Sequence, residues 1–282
     1  SRAVFSPMGL IRLGRQTLKA IRSLDMAVGG RPVAVVHSNT LAVLSGALWA
    51  LLRRKKHLWH VHEIILSPKL VSKAFPYLVR RLSDRAMSNS TLTEQWLLSE
   101  QPSLASRSVV VFNGLPLVVK PSELAIRSFR ESVGAELGDL VVTLAGRINR
   151  WKGQELLLEA AAELKRRGSL GRLRFVIVGS AAPGLEHLPE QLKAQASASG
   201  FDARCSFVPF IDDIWPVWFG TDIAVVPSTE PEPFGMVAIE AMAAAVPLIA
   251  AGHGGLLDIL VHEETGLFFT PRDSVALADA ID

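Results

Sequence analysis

The chain has 282 residues, 49% apolar and 20% charged, which is material for about two packed domains and excludes a disordered or low-complexity polypeptide. Its single cysteine, Cys205, excludes an intrachain disulfide framework and a multi-thiolate metal centre. The net charge of +3 conceals an asymmetry: residues 1–134 hold 19 Lys and Arg against 7 Asp and Glu, and residues 135–282 hold 11 against 20. A basic half joined to an acidic half implies two domains with different partners.

Leu10, Leu13, Leu18, Ile21 and Leu24 fall at helical spacing and predict a helix over residues 10–28. The β-branched run at residues 32–37 reads as a buried strand. Ser38, Asn39 and Thr40 can cap a helix running to residue 52. That apolar stretch is shorter than the roughly 20 residues that a membrane span needs. Residues 57–62 read as the next strand, and residues 75–82 as a helix with Pro76 in its first turn. A weak strand at 85–89, a helix at 91–100 and a strand at 108–112 follow, closed by the turn pair Asn113-Gly114. Residues 121–137, in a region of mixed polarity that holds Pro116 and Pro121, are expected to link a first domain (1–120) to a second (138–282).

The second half repeats the rhythm. Strands are expected at 140–145, 174–178, 205–208, 221–226, 247–250 and 267–270. Helices are expected at 154–167, 188–199, 211–218, 234–244 and 254–261, with another beginning at residue 274. Short strands alternating with helices predict an α/β protein with parallel sheets. In such sheets ligands bind at the carboxyl ends of strands, so chemistry is sought just after them.

Three segments there stand out. Gly146-Arg147-Ile148-Asn149-Arg150-Trp151-Lys152-Gly153 follows a strand. Its glycines let backbone come close to a bulky anion, and Arg147 and Lys152 suit phosphate oxygens. The spacing is not that of a P-loop. Glu230-Pro231-Glu232-Pro233-Phe234-Gly235-Met236-Val237 leads from a strand into a helix carrying Glu240. The amides of Phe234, Gly235, Met236 and Val237 at a helix start suit anions, and Glu232 and Glu240 suit sugar hydroxyls. His60-Val61-His62-Glu63 ends a strand with both imidazoles on one face. Two histidines and a carboxylate could hold zinc, but no third protein ligand stands at a suggestive spacing.

Taken in order, Gly146-Arg147, Lys152-Gly153, Ile177-Val178-Gly179, Val208-Pro209-Phe210, Glu232, Phe234-Gly235 and Glu240 resemble the retaining GT-B glycosyltransferases, glycosyltransferase family 4 in particular. The likeness covers residues 31–282 and is tightest over 141–270. It is looser at His37-Ser38-Asn39-Thr40, His62-Glu63 and Asn113-Gly114-Leu115-Pro116. It implies two Rossmann-like domains facing each other across a cleft, acceptor on the first and nucleotide-diphosphate sugar on the second. It implies that Arg147 and Lys152, with Gly146 and Gly179 beside them, meet the diphosphate. Glu232 would hold donor hydroxyls, Phe234 to Val237 would offer amides, and Glu240 would bind the ribose. Phe210 would lie beside the base and His62 near the anomeric carbon. The resemblance implies sugar transfer with retention and without a metal or other cofactor, and the absence of an Asp-x-Asp motif agrees with that metal-independent habit. An inactive nucleotide-sugar-binding domain of the same fold, or a sugar-phosphate synthase or phosphorylase, is the alternative.

Family members begin with a strand and a Gly-rich loop and continue past a final crossing helix, so the N-terminal domain is expected to be incomplete and both ends truncated. The basic half shows no nucleic-acid module and suits instead an acceptor, saccharide or lipid-linked, or an anionic membrane. Arg53, Arg54, Lys55 and Lys56 after the apolar 41–52 segment could supply that contact. The expected setting is cytoplasmic, peripheral at the inner membrane face, in cell-envelope or polysaccharide synthesis.

Overall fold

The computed structural model describes residues 7–282, and the chain divides into two compact units at Asn113–Gly114. The first unit holds α1 (Pro7–Val28), β1 (Val35–Asn39), α2 (Leu44–Leu52), β2 (Lys56–Val61), α3 (Lys69–Leu82), β3 (Arg85–Ser88), α4 (Thr91–Glu100) and β4 (Ser108–Val110). Its four strands are all parallel, in the order β1-β2-β3-β4. Side chains alternate across the sheet. Trp59, Val61 and Ala86 join Leu41, Ala47, Val79, Trp96 and Leu97 in one core. By register, His37, Leu58, His60, Met87 and Val109 occupy the other face.

The second unit holds α5 (Glu123–Ser132), β5 (Leu140–Ala145), α6 (Gln154–Arg167), β6 (Leu173–Val178), α7 (Leu188–Ala198), β7 (Cys205–Val208), α8 (Trp215–Phe219), β8 (Ile223–Val226), α9 (Met236–Ala243), β9 (Leu248–Ala251), β10 (Leu267–Phe269) and α10 (Ser274–Ile281). Its parallel sheet runs β10-β9-β8-β5-β6-β7. Leu144, Phe175 and Ile177 face one layer with Leu157, Leu164 and Leu277. Ala145, Val176 and Val178 face the other with Phe129, Trp218 and Ala238. Helices on both faces of a parallel sheet make this unit Rossmann-like.

The expected alternation is observed, with local corrections. Residues 121–137 are not a bare connection: they carry α5, whose Phe129 is 7% exposed in the second core. Ser38, Asn39 and Thr40 do not cap α2. Ser38 and Asn39 belong to β1, Thr40 turns at φ 83°, and Val43 precedes the helix with no side-chain cap. The Ser38 hydroxyl lies instead 2.8 Å from His57 Nε2. Pro76 lies in the middle of α3, which starts at Lys69. The helix expected over 211–218 is delayed to Trp215, where Asp213 accepts from the Trp215 amide at 3.2 Å. Residues 254–258 form a short 3-10 turn in place of a longer α-helix. α2 buries Gly46, Ala47, Trp49 and Ala50, and this apolar segment contributes Leu41, Leu44 and Ala47 to the first core. Among the described residues, no helix is long and apolar enough to cross a membrane.

Candidate functional site

In the second sheet β5 pairs with β6 on one side and β8 on the other. Strand succession reverses there, so the loops after β5 and β8 leave the carboxyl edge together, at the switch point where such sheets bind ligands. The sequence is fitted to this close approach. Gly153 has φ 79°, and a Cβ there would stand 1.9 Å from the Pro227 carbonyl oxygen. Gly179, after β6, has φ 144°, and a Cβ there would stand 2.0 Å from the Gly146 carbonyl oxygen. Asn149 Oδ1 accepts from the amides of Trp151 and Lys152 at 3.1 and 2.9 Å, which turns the loop. The Thr229 amide donates to the Trp151 carbonyl at 2.7 Å and ties the two loops together.

These loops bring Lys152 to Glu232. Lys152 Nζ donates to Glu232 Oε1 at 2.6 Å, and the Ser228 hydroxyl donates to the same oxygen at 2.5 Å. The side chains are 17% and 5% exposed. The ammonium also stands 4.6 Å from the centre of the Trp151 ring. Backbone holds the carboxylate's loop from beneath: the Gly255 amide donates to the Glu232 carbonyl at 2.7 Å, and His253 Nε2 lies 2.8 Å from the Ser228 carbonyl. Gly254 has φ 73°, and a Cβ there would meet the Glu232 backbone at 2.7 Å.

Beside the pair lies a cavity of about 510 Å³, lined among others by Gly146, Arg147, Gly179, Phe210, Val237 and Glu240. Six of the residues singled out from sequence thus share one concavity. Glu240 accepts from Trp218 Nε1 at 3.2 Å, and burial pushes its carboxyl above the usual range. Phe210 is 69% exposed at the mouth, and its amide donates to the Ser180 hydroxyl at 3.1 Å. Gly235, at φ 116°, precedes α9, which opens with Met236 and Val237. Those first amides have no partner within the helix and face the start of a dipole that favours anions. Lys152, Glu232, Phe234, Gly235 and Met236 lie outside the cavity lining. The Lys152 stem adjoins it, with Cδ 3.9 Å from where a Cβ on Gly146 would stand. Phe234 is 4% exposed and packs in the interior.

The sequence reading passed over Ser228, His253, Gly254 and Gly255. Their signal was faint: a serine one residue beyond a strand's closing proline, and a glycine pair just after another strand. Both lie at carboxyl ends of strands.

In the first unit His62 Nε2 lies 2.5 Å from Asn39 Oδ1. The His60 ring packs on it with centroids 4.0 Å apart, and His37 stacks on His60 at 5.6 Å. Burial first, and then the neighbouring imidazoles, hold His60 down to about 4. His62 is also lowered, by burial foremost and against the pull of Glu63. His60 and His62 are therefore both neutral near pH 7. The Glu63 carboxylate turns back to the Thr40 hydroxyl and to the amides of Leu41 and His62, at 3.1 and 3.2 Å for the amides. It is spent on that turn, and the His60–His62–Glu63 sequence does not form a metal cluster among the described residues.

The profile of the family described as Glycosyl transferases group 1 matches residues 125–282, more than half of the chain. The chain belongs to this family. Its α/β fold with parallel sheets matches that of GT-B glycosyltransferase structures. Among curated relatives, it is 37% identical over 188 residues to the D-inositol 3-phosphate glycosyltransferase of Rhodococcus jostii (strain RHA1), covering 66% of this chain and 41% of that one. It is 30% identical over 288 residues to the enzyme of the same name from Nocardioides sp., covering 92% of this chain and 62% of that one. The chain thus spans less than two thirds of the length of these relatives. Among solved structures, Anabaena HepE in complex with UDP-glucose superposes with a TM-score of 0.83 at 27% identity, over 98% of this chain and 73% of that one. A second HepE structure holds UDP.

Proposed function

We propose that this group 1 glycosyl transferase moves a sugar from a nucleotide-diphosphate donor to an acceptor, that its second unit is the donor-holding part, and that the nucleotide is uridine diphosphate. The observation that carries the reading is the shared concavity at the β5–β8 switch point, lined by Arg147 and Glu240 and flanked by the Lys152–Glu232 pair. The UDP and UDP-glucose bound to HepE support the choice of uracil.

On this reading the diphosphate lies against the Gly146–Arg147 turn and the start of α9. Rupture of the sugar–oxygen bond leaves negative charge on the terminal phosphate. Lys152, held in place by Glu232, and the exposed Arg147 meet it, which lowers the barrier. Glu232, held by Lys152 and Ser228, offers its remaining lone pairs to donor hydroxyls. Glu240 binds the ribose. Charge compensation by these cations removes the need for a metal, and retention follows from front-side attack in which the departing phosphate accepts the acceptor's proton. The family-4 assignment and the place of His62 near the anomeric carbon rest on sequence likeness alone. The acceptor is a saccharide or a lipid-linked one, and the cytoplasmic, membrane-peripheral setting goes with the latter.

The test is a thermal-shift panel of UDP, GDP, ADP and their glucose conjugates. A ligand that binds only the native state raises the midpoint, and about 100-fold excess over Kd stabilises by about 2.7 kcal/mol. UDP and UDP-glucose alone are expected to shift the wild type, and Arg147→Ala and Glu240→Ala are expected to abolish the shift. No shift with any nucleotide would refute the donor reading. Release of UDP from UDP-glucose in the presence of candidate acceptors separates an active enzyme from an idle binding domain.

A further inference from the structure

Glu240 lines the cavity from α9, and the side chain that fixes it comes from α8. Trp218 is fully buried, in one core with Phe129, Ala238 and Ala241. A leucine or phenylalanine would fill such a core with no polar group to satisfy, whereas a buried indole N–H needs an acceptor. Here the acceptor belongs to the site: Nε1 donates to Glu240 Oε2 at 3.2 Å. Glu240 lines the cavity and Trp218 does not, so the indole reaches the carboxylate from the core.

An ionised carboxylate has about four lone-pair positions. The indole takes one of them on Oε2 and leaves Oε1 whole. The terminal torsion of a glutamate is otherwise broad, so this one bond sets the plane of the group and the direction in which Oε1 is offered. A pair of neighbouring hydroxyls needs that direction fixed, because hydrogen bonds weaken steeply as they lose alignment. The bond also bears on charge. Burial pushes the Glu240 carboxyl up, and the indole bond opposes the push. The other charged side chains lining this cavity are Arg147 and Asp212.

We propose that Trp218 is a positioning residue: through its Nε1–H it orients Glu240 towards the ribose of the donor, and so sets the preference of this site for ribonucleotides over 2′-deoxyribonucleotides. This role rests on the donor reading and deepens it. Trp218 touches no ligand and acts through Glu240 alone, so its effect vanishes where Glu240 is absent.

The experiment is calorimetric titration of UDP and 2′-deoxy-UDP into wild type, Trp218→Phe, Glu240→Ala and the double variant, from pH 8.5 down to 6. Both ligands carry the same diphosphate, so its titration cancels in the ratio of their affinities. At the alkaline end wild type is expected to favour UDP about tenfold and Trp218→Phe about threefold or less. The ratio is expected to decline on acidification, and at a higher pH in Trp218→Phe, where nothing opposes the effect of burial on Glu240. With Glu240 already Ala, Trp218→Phe is expected to leave the ratio unchanged. A tryptophan that merely supports the fold would lower both affinities together and leave the ratio alone. Nitrogen-15 spectra of the six indole N–H groups give a second readout that needs no change at Trp218. One indole signal is expected to shift in Glu240→Gln, and in wild type that signal is expected to move more with UDP than with 2′-deoxy-UDP. An unchanged ratio in Trp218→Phe, a fall in the ratio that persists without Glu240, or no indole shift in Glu240→Gln would overturn the proposal. Equal binding of the two ligands by wild type would overturn it by removing Glu240 from the ribose. No binding of either would overturn it together with the donor reading.

Discussion

Changing Glu232 to Gln keeps the shape of the side chain and removes the charge opposite Lys152. Removing one member of a buried ion pair costs about 3–5 kcal/mol, because the other charge is left desolvated and alone. Here the two members are not equally buried. The Lys152 side chain retains 17% exposure and the Trp151 ring, whereas the Glu232 side chain retains 5% and the Ser228 hydroxyl. Glu232→Gln is therefore expected to cost about 2–3 kcal/mol, with partial hydration and the ring face easing the stranded ammonium. Lys152→Met is expected to cost more, about 3–4 kcal/mol, because it strands the deeper charge. The double variant removes both charges and is expected to fall short of the sum of the two by about 2–3 kcal/mol. Urea denaturation of the four proteins at pH 7.5 reads these differences from the midpoints. Additivity to within about 0.5 kcal/mol would refute the coupling. A milder effect of Lys152→Met than of Glu232→Gln would refute the argument from unequal burial.

Gly179→Ala is expected to destabilise by about 3 kcal/mol or more, since its Cβ would overlap the Gly146 carbonyl at 2.0 Å, whereas Gly168→Ala, at φ 79° with nothing within 4 Å, is expected to cost only about 1 kcal/mol in the same urea assay. Comparable losses would show that the loop contact is not what requires Gly179. His57, His60 and His62 are all held below 6.5, by burial foremost, so the unfolded chain binds protons that the folded rings refuse. Stability is thus full above about pH 6.5 and falls as pH drops from there towards 4; at full value the His60 shift to about 4 is worth about 3 kcal/mol, and partial exposure reduces this to about 1–2. Urea midpoints at pH 7.5 and 5.0 measure this, with a smaller drop for His60→Gln than for the wild type; equal drops would refute it. On the donor reading, wild type is expected to bind UDP about tenfold more tightly than 2′-deoxy-UDP, and Glu240→Ala to bind the two alike, because a carboxylate–hydroxyl hydrogen bond is worth about 1.5–3 kcal/mol. Equal discrimination by both proteins in titration calorimetry would remove Glu240 from the ribose.

The strands of the second sheet were legible because each is a short, mostly apolar run followed within two residues by Gly or Pro, and buried parallel strands look like that. The cavity residues were legible because they follow those strands. α5 was not: two prolines introduce it, and its inward face amounts to little more than Phe129. A segment that buries one large side chain reads as a connection until the partner surface is known. Ser38 was misread for a different reason. Ser-Asn-Thr has the chemistry of a helix cap, but the imidazole of His57, nineteen residues away, lies against the serine hydroxyl. Local propensity gave way to a partner that only the β1–β2 register supplies. Gly254 and Gly255 were missed because they act on Glu232 through backbone atoms, and such contacts leave little trace in residue type. Ser228 acts through its hydroxyl, but a lone serine after a strand carries no distinguishing pattern.

The glycines of the site divide by what fills the place of the missing Cβ. At Gly153 and Gly179 that place is taken by the carbonyls of Pro227 and Gly146, so these residues let one loop reach another. At Gly146 the nearest atom is Lys152 Cδ at 3.9 Å, and the residue lines the cavity, so here the space is left open. The same division explains why an ion pair inside a candidate phosphate site does not block it. An ammonium has three N–H donors, and the Glu232 contact uses one. The carboxylate fixes the cation's position against a nearly dry wall, and the remaining donors stay available on the side of Gly146. A lysine left without Glu232 would be more mobile and better hydrated, and so a weaker partner for charge developing on a leaving group. The crowded glycines set the loops, the loops set the pair, and the pair holds a cation beside the one glycine that leaves room.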